Sequence, residues 1–224
     1  MKLALVSNNA TTQGRQAITQ LLASLNVAPN ELTVGYIASA PDPDRTFFNQ
    51  TRDFYQQLGV NQVAYLELEQ EFSQQQFEKI CACSVIHLSG GDTYRFLYWL
   101  KQRGLVDTLA NLALAGKAFV GVSAGAMLLT PSIESASLCG DIDTFQQTDF
   151  TALAVVDFMF TAHAKRDANE RSLAEKVAQD NHCPFVLCAD EDALVIEGQQ
   201  HTVFGQPQWV YSAKLKNEKK PCHQ

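Results

Sequence analysis

Short apolar runs that alternate with helical segments are the feature that most constrains the fold of this chain. The candidate strands are rich in Val, Ile, Leu and Phe, and they lie at 3–7, 32–38, 63–68, 84–89, 118–122, 158–162, 185–189, 193–197 and 208–212. Such continuous apolar character is typical of strands that are buried on both faces of a parallel sheet. Segments with an apolar helical face separate many of these strands, at 15–25, 47–58, 72–82, 94–103 and 169–180. The alternation predicts an α/β fold with a doubly wound, mostly parallel sheet and helices on both faces.

The length of 224 residues favours a single compact domain. We assign that domain to residues 1–212 and expect the charged segment 213–224 to be a loose C-terminal tail. One long stretch, 131–154, has small polar residues and little periodicity. Because long irregular loops in compact domains are often functional, we expect this stretch to contribute to a site.

The charge and the cysteines exclude several functional classes. Seventeen basic and 24 acidic side chains give a net charge of −7, which makes binding to a nucleic-acid backbone improbable. We find no apolar stretch long enough to cross a membrane and no signal-peptide core, so neither nucleic acid nor a membrane is an expected partner. Two of the six cysteines, Cys81 and Cys83, are too close for an obvious disulfide framework, and Cys188 lies in an apolar run. Reduced thiols and a cytoplasmic location are therefore expected.

The strongest chemical signal is the sequence GVSAG at 121–125. It follows an apolar strand and precedes a helix-forming run, which is the context that a nucleophile elbow requires. The flanking glycines remove side chains that would collide in the sharp turn, and the serine oxygen then stands at the carboxyl edge of the sheet. Ser123 is the candidate nucleophile, and the N–H of Ala124 is a candidate oxyanion donor. The alternative is a turn serine that only caps a helix.

A second turn, SGGDT at 89–93, also follows an apolar strand. If the strands are parallel, this turn meets the same crevice as Ser123. The N–H of Gly91 is the candidate second oxyanion donor. The SGGDT turn matches neither GxGxxG nor GxxxxGK(S/T), the two glycine-rich patterns that bind phosphate.

A serine nucleophile needs a base and an acid that orients the base. Among the histidines, His163 ends an apolar strand and therefore meets the crevice, whereas His87 lies mid-strand and is expected to be a core residue. The acid candidates in the irregular stretch are Glu134, Asp141, Asp143 and Asp149. Local sequence does not separate them. No metal-ligand spacing stands out, and we predict neither a metal nor a cofactor.

Several segments together resemble the dipeptidase E and cyanophycinase family of serine peptidases. They are GVSAGA, SGGDTYRFL, SNNATTQG, KQRGL, the strand-end histidine, and CADEDALVI with a WV-containing last strand. The resemblance covers the chain from Leu3 to about Tyr211. It implies a fold like that of class I glutamine amidotransferases, with serine in the place of their cysteine.

The resemblance also implies roles for individual residues. Ser123 would be the nucleophile and His163 the base, with Gly91 and Ala124 as oxyanion donors. The family places its acid some two dozen residues or fewer before the histidine, which favours Asp141 over Asp143. An arginine after the histidine is expected to bind the substrate, and the candidates are Arg166 and Arg171, although neither falls on the family position.

We therefore expect a serine-type exopeptidase that cleaves short peptides, aspartyl dipeptides among them, through an acyl-enzyme. The expected partner is a short peptide substrate, and a homodimer is compatible with the sequence. One alternative is an α/β-hydrolase-type esterase that would use Asp190 or Asp192 with His201. The other is a non-catalytic binding protein on the same fold.

Overall fold

A computed structural model describes residues 1–211 of the chain, so the predicted tail at 213–224 lies outside the described residues. The strands are β1 Lys2–Val6, β2 Thr33–Ala38, β3 Gln62–Glu67, β4 Val85–Leu88, β5 Ala118–Val122, β6 Met159–Thr161, β7 Phe185–Leu187, β8 Ala193–Glu197, β9 Gln200–Phe204 and β10 Gln208–Val210. The α-helices are α1 Thr12–Ala23, α2 Thr46–Gln57, α3 Gln74–Ala82, α4 Thr93–Gln102, α5 Val106–Leu114, α6 Ala124–Leu128 and α7 Ala168–Asp180. Helix α5 has no counterpart among the segments predicted from the sequence.

The main sheet has seven strands in the order β3-β2-β4-β5-β1-β8-β9. The five strands from β3 to β1 are parallel, and the β8–β9 hairpin adds two antiparallel strands beside β1. The predicted α/β class with a mostly parallel sheet is thereby confirmed.

Three late strands form a sheet of their own, in the order β10-β7-β6. Sequence patterning had given no sign of this separation, because each strand by itself has the apolar character of the main sheet. The edge beside β1 is taken by β8, so the late strands pair with one another. In this small sheet β6 and β7 are parallel and β10 is antiparallel to β7.

Two apolar layers cover the two faces of the main sheet. Alternate residues of β1 enter opposite layers, because successive side chains of a strand point to opposite faces. Ala4 and Val6 pack with Ile18 and Leu21 of α1, whereas Leu5 packs in the layer that also contains α4 and α6. The helices therefore lie on both faces, as the sequence pattern predicted.

The carboxyl edge of the parallel strands gathers the serines that follow β1, β4 and β5. The N–H of Ser123 donates to the carbonyl of Val6 at 2.8 Å, and the N–H of Gly125 donates to the carbonyl of Ser89 at 3.0 Å. These bonds fix the turn after β5 against the ends of both neighbouring strands.

Within residues 1–211, no helix is both long and apolar enough to cross a membrane. Five cysteines of the same range, at 81, 83, 139, 183 and 188, carry free thiols.

Candidate active site

Ser123 occupies a strained backbone position between β5 and α6. Its φ of 48° and ψ of −108° lie outside the regions that residues with a side chain normally adopt. The flanking glycines make this turn feasible. A Cβ on Gly121 would lie 2.5 Å from the carbonyl oxygen of Gly125, and one on Gly125 would lie 2.2 Å from the carbonyl oxygen of Leu88. The glycine spacing predicted this geometry.

His163 follows β6 and points its ring at the serine. Its Nε2 lies 3.0 Å from Oγ of Ser123. The backbone of His163 is also in the left-handed region, with a φ of 55°. Its N–H donates to the hydroxyl of Ser7 at 2.8 Å, which anchors this turn to the end of β1. The structure therefore brings together the serine and the histidine that the sequence singled out.

Asp190 completes the arrangement from the end of β7. Its Oδ1 lies 2.5 Å from Nδ1 of His163. A carboxylate can only accept, so Nδ1 carries the proton and Nε2 is left as the acceptor for the serine hydroxyl. The side chains of His163 and Asp190 are 45% and 56% exposed, so solvent and substrate can reach the pair.

The parallel pairing of β6 and β7 explains why this acid meets this histidine. Thr161 of β6 pairs with Leu187 of β7, and the N–H of Ala164 donates to the carbonyl of Cys188 at 2.9 Å. His163 and Asp190 thus leave adjacent parallel strands at the same edge. Asp190 directly follows the apolar run 185–189, so the strand-end argument that selected His163 would have selected it too.

The expectation that Asp141 orients His163 is wrong in this structure. The Oδ2 of Asp141 instead accepts the N–H of Thr93 at 3.0 Å, at the start of α4. The other three candidate acids are also engaged elsewhere. Asp143 accepts the N–H groups of Phe145 and Gln147, Glu134 accepts from Asn181, and Asp149 pairs with Lys101. The irregular stretch 131–154 contributes acids that organise loops and helix ends.

Gly90 and Gly91 approach the serine from the end of β4. A Cβ on Gly90 would lie 3.6 Å from the Cβ of Ser123. Gly91 has a φ of +129°, and a Cβ there would lie 2.2 Å from Oγ of Ser39, so only glycine fits. Ser39 in turn donates to the carbonyl of Gly90 at 2.6 Å. Among residues 1–211, the N–H groups of Gly91 and Ala124 donate to no protein acceptor, so both can serve an incoming oxygen.

The two arginines predicted to bind substrate have other partners. Arg166 forms an ion pair with Asp192, whose side chain is 2% exposed. Asp192 also accepts the N–H groups of Ala189 and Gln206, at 2.8 and 2.7 Å, so it holds the turn that carries Asp190. Arg171 lies on the exposed face of α7 and pairs with Glu175 at 3.7 Å. The free guanidinium that a substrate carboxylate would need is therefore provided by neither residue.

The arrangement required by the esterase alternative is not formed. His201 lies on β9, where it pairs with Ile196 across the β8–β9 hairpin. In the part of the chain that the structure describes, its ring makes no hydrogen bond to Asp190 or Asp192. Asp190 instead forms a hydrogen bond with His163.

The amino-acid sequence was also compared with models of known protein families. The model of peptidase family S51 matches residues 3–204. This chain belongs to peptidase family S51. The resemblance to the dipeptidase E family, noted from the sequence motifs, is thereby confirmed.

Relatives within family S51 carry related names. An uncharacterized peptidase of Pasteurella multocida is 28% identical over 141 residues, which cover 62% of this chain and 64% of that protein. The peptidase E of Shewanella amazonensis is 26% identical over 144 residues, which cover 61% of this chain and 60% of that protein. The chain thus spans less than two thirds of the length of the curated relatives it matches.

Solved structures share the fold of this S51 chain. A candidate peptidase E from Listeria monocytogenes EGD-e superposes with a TM-score of 0.70 at 22% identity, covering 90% of this chain and 96% of that one. A peptidase from an acI-B1 actinobacterium gives a TM-score of 0.62 at 15% identity and covers 95% of this chain and 94% of that one. At these identities the likeness supports the fold alone.

In this S51 chain, a cavity of about 360 Å³ lies near the turn that carries Ser123. It lies beside Gly90, Gly91 and Val122, the residue that precedes Ser123. Its volume falls in the lower range of sites that bind small molecules. His87 lines it from β4 and is buried, as the sequence predicted, and burial lowers the pKa of its ring to about 3.

Proposed function

We propose that this chain is a serine-type peptidase that hydrolyses short peptides through a Ser123–His163–Asp190 triad. The observation that carries the proposal is the pair of consecutive hydrogen bonds, from serine to histidine at 3.0 Å and from histidine to aspartate at 2.5 Å. Membership of peptidase family S51 supports the same chemistry. The triad acid here replaces Asp141 of our sequence-based expectation.

The first half of the reaction forms an acyl-enzyme. Oγ of Ser123 attacks the scissile carbonyl carbon while Nε2 of His163 takes its proton. Asp190 stabilises the imidazolium that results. The carbon–nitrogen bond then breaks, and His163 returns the proton to the departing amine.

The second half releases the product. Water attacks the acyl ester while His163 accepts a proton from it. The ester bond to Ser123 then breaks to give the free acid, and His163 returns the proton to Oγ of Ser123. Both halves pass through a tetrahedral oxyanion. The unengaged N–H groups of Gly91 and Ala124 are proposed to donate to it, and each such donor typically contributes about 10²–10³ in rate.

The size of the site and the relatives' names support a preference for short peptides. The cavity of about 360 Å³ near Ser123 has a volume suited to a small molecule, and relatives carry the name peptidase E. We propose exopeptidase activity on dipeptides and place it in the cytoplasm, where the free thiols would stay reduced.

The test combines active-site labelling with hydrolysis of a dipeptide library. A fluorophosphonate should label Ser123 of the wild type, and Ser123→Ala should abolish both labelling and hydrolysis without loss of the folded state. Ser137→Ala is the matched control, because that exposed hydroxyl donates to the carbonyl of Glu134 and lies outside the Ser123–His163–Asp190 arrangement. A wild-type protein that neither reacts with the probe nor cleaves any dipeptide would support the non-catalytic alternative.

A further inference from the structure

The cavity beside Ser123 has an aromatic lining that the proposed mechanism does not use. Tyr36, Phe47, Phe54 and the ring of His87 all contribute to its walls. Phe47 is 68% exposed although it is a large apolar side chain. An exposed phenylalanine at the mouth of a cavity offers surface that an apolar ligand group would cover.

The position of the cavity indicates which part of a substrate it receives. His163 returns the proton to the leaving amine, so the leaving group lies on the side of His163. The cavity is lined by Gly90, Val122 and Gly91, whose N–H is a proposed oxyanion donor, whereas Ser123, His163 and Asp190 do not line it. It therefore lies on the acyl side of the scissile bond.

The charges around the cavity disfavour an acidic group. Its lining includes one guanidinium, of Arg15, and two carboxylates, of Asp42 and Asp92. The guanidinium carbon of Arg15 lies 5.0 Å from the ring centroid of Phe54, and its Nη1 contacts Oε1 of Gln57 at 3.5 Å. The cation thus already rests on an aromatic wall.

The remaining titratable side chains of the lining are neutral at neutral pH. Burial lowers the pKa of His87 to about 3 and raises that of Tyr36 to about 12.

Asp42 is buried and is committed to helix α2, where its carboxylate accepts the N–H groups of Thr46 and Phe47 at 2.9 and 3.1 Å. The lining therefore holds one cation and two carboxylates, so an additional carboxylate from a substrate would meet a surface of net negative charge.

We infer that this cavity is the subsite for a bulky aromatic side chain on the acyl side of the scissile bond, and that it selects against an acidic one. The inference rests on the proposed function, because it presupposes that Ser123 attacks the substrate. Its physical basis is the removal of an aromatic ring from water against apolar walls, together with the cost of burying an unpaired carboxylate.

The experiment measures the rate at which Ser123 reacts with three diphenyl aminoalkylphosphonates, the analogues of phenylalanine, alanine and aspartate. In each reaction a bond forms between Oγ and phosphorus, and one phenol leaves with the serine proton. Intact mass gives the extent of labelling. We expect the phenylalanine analogue to react at least about tenfold faster than either of the others.

Variants of the cavity give a second measurement. Phe47→Ala should lower the ratio of the phenylalanine rate to the alanine rate about threefold or more, because one wall is lost. Ala40→Trp should lower that ratio further by filling the space. Leu114→Ala is the matched control, since this side chain is similarly exposed, at 60%, and does not line the cavity.

The outcomes separate the two proposals. A wild type that a simple fluorophosphonate labels at Ser123, but that prefers the aspartate or alanine analogue, overturns the subsite and leaves the proposed function intact. A protein that no phosphonate labels overturns both. Equal ratios in Phe47→Ala, Ala40→Trp and the wild type would also contradict the aromatic subsite.

Discussion

Asp190 lies 27 residues after His163 in the chain, and its Oδ1 accepts a hydrogen bond from Nδ1 of that histidine at 2.5 Å. The two residues leave the parallel strands β6 and β7 at the same edge. The small second sheet therefore delivers both His163 and Asp190, while the main sheet delivers Ser123. The relative placement of the two sheets thus determines whether the proposed triad forms.

Asp190→Asn should lower kcat/KM for the best dipeptide substrate by about 10²–10⁴ while the fold is retained, because the amide favours the wrong histidine tautomer. Asp141→Asn is the matched control. It should change kcat/KM less than about threefold and lower the free energy of unfolding by about 1 kcal/mol, through loss of the charged acceptor for Thr93. Steady-state kinetics and urea unfolding check both variants. A large activity loss in Asp141→Asn alone would restore the sequence-based assignment.

Asp192→Asn should destabilise the protein by about 2–4 kcal/mol, because it removes the partner of Arg166 from a buried pair. It should also lower activity, because the turn held by Asp192 carries Asp190. Urea unfolding and kcat/KM provide the measurements. Arg171→Gln, which breaks only an exposed pair on α7, should change stability by less than about 0.5 kcal/mol. Similar losses in both variants would show that the buried pair has no special role.

The backbone of Ser123 predicts an unusual order of stability for two substitutions. With a φ of 48° and ψ of −108°, residue 123 is strained for any side chain. Ser123→Gly should therefore be more stable than Ser123→Ala by about 1 kcal/mol, although glycine is normally the less stable of the two. Both should be inactive. Thermal and urea unfolding of the pair would check this order, and a more stable alanine variant would contradict the strain.

Buried His87 predicts a loss of stability in mild acid. Its folded pKa of about 3 lies below the unfolded value of about 6.5, so the unfolded chain binds the proton first as pH falls. Its contribution is fully present above pH of about 6.5 and declines below it, by about 2 kcal/mol between pH 7.5 and 5. His87→Asn can keep the hydrogen bond to Tyr55 and should flatten this dependence.

The measurement is the free energy of unfolding in urea at pH 7.5 and 5.0. His201→Asn is the control for the substitution itself, since that side chain is exposed on β9. If the free energy of unfolding changed equally with pH in the wild type and in His87→Asn, His87 would be protonated in the folded state as readily as in the unfolded chain.

The sequence by itself determined the parts of this protein that depend on local sterics and on strand ends. The glycines at 121 and 125 specify the turn around Ser123 because no other residue fits against Leu88 and the following helix. Position at the end of an apolar strand was sufficient to select His163. Alternating strands and helices likewise predicted the parallel sheet.

Only the tertiary structure decided which acid meets the histidine and what the arginines do. Asp141 and Asp190 are both acids near the ends of regular elements, and their separation in sequence from His163 is similar. The choice depends on β6 pairing with β7 in a separate sheet, which is a contact between segments whose local patterns do not encode their partners. The role of Arg166 likewise depends on a residue distant in sequence. The buried charge of Asp192 requires a cation beside it, and Arg166 provides that cation.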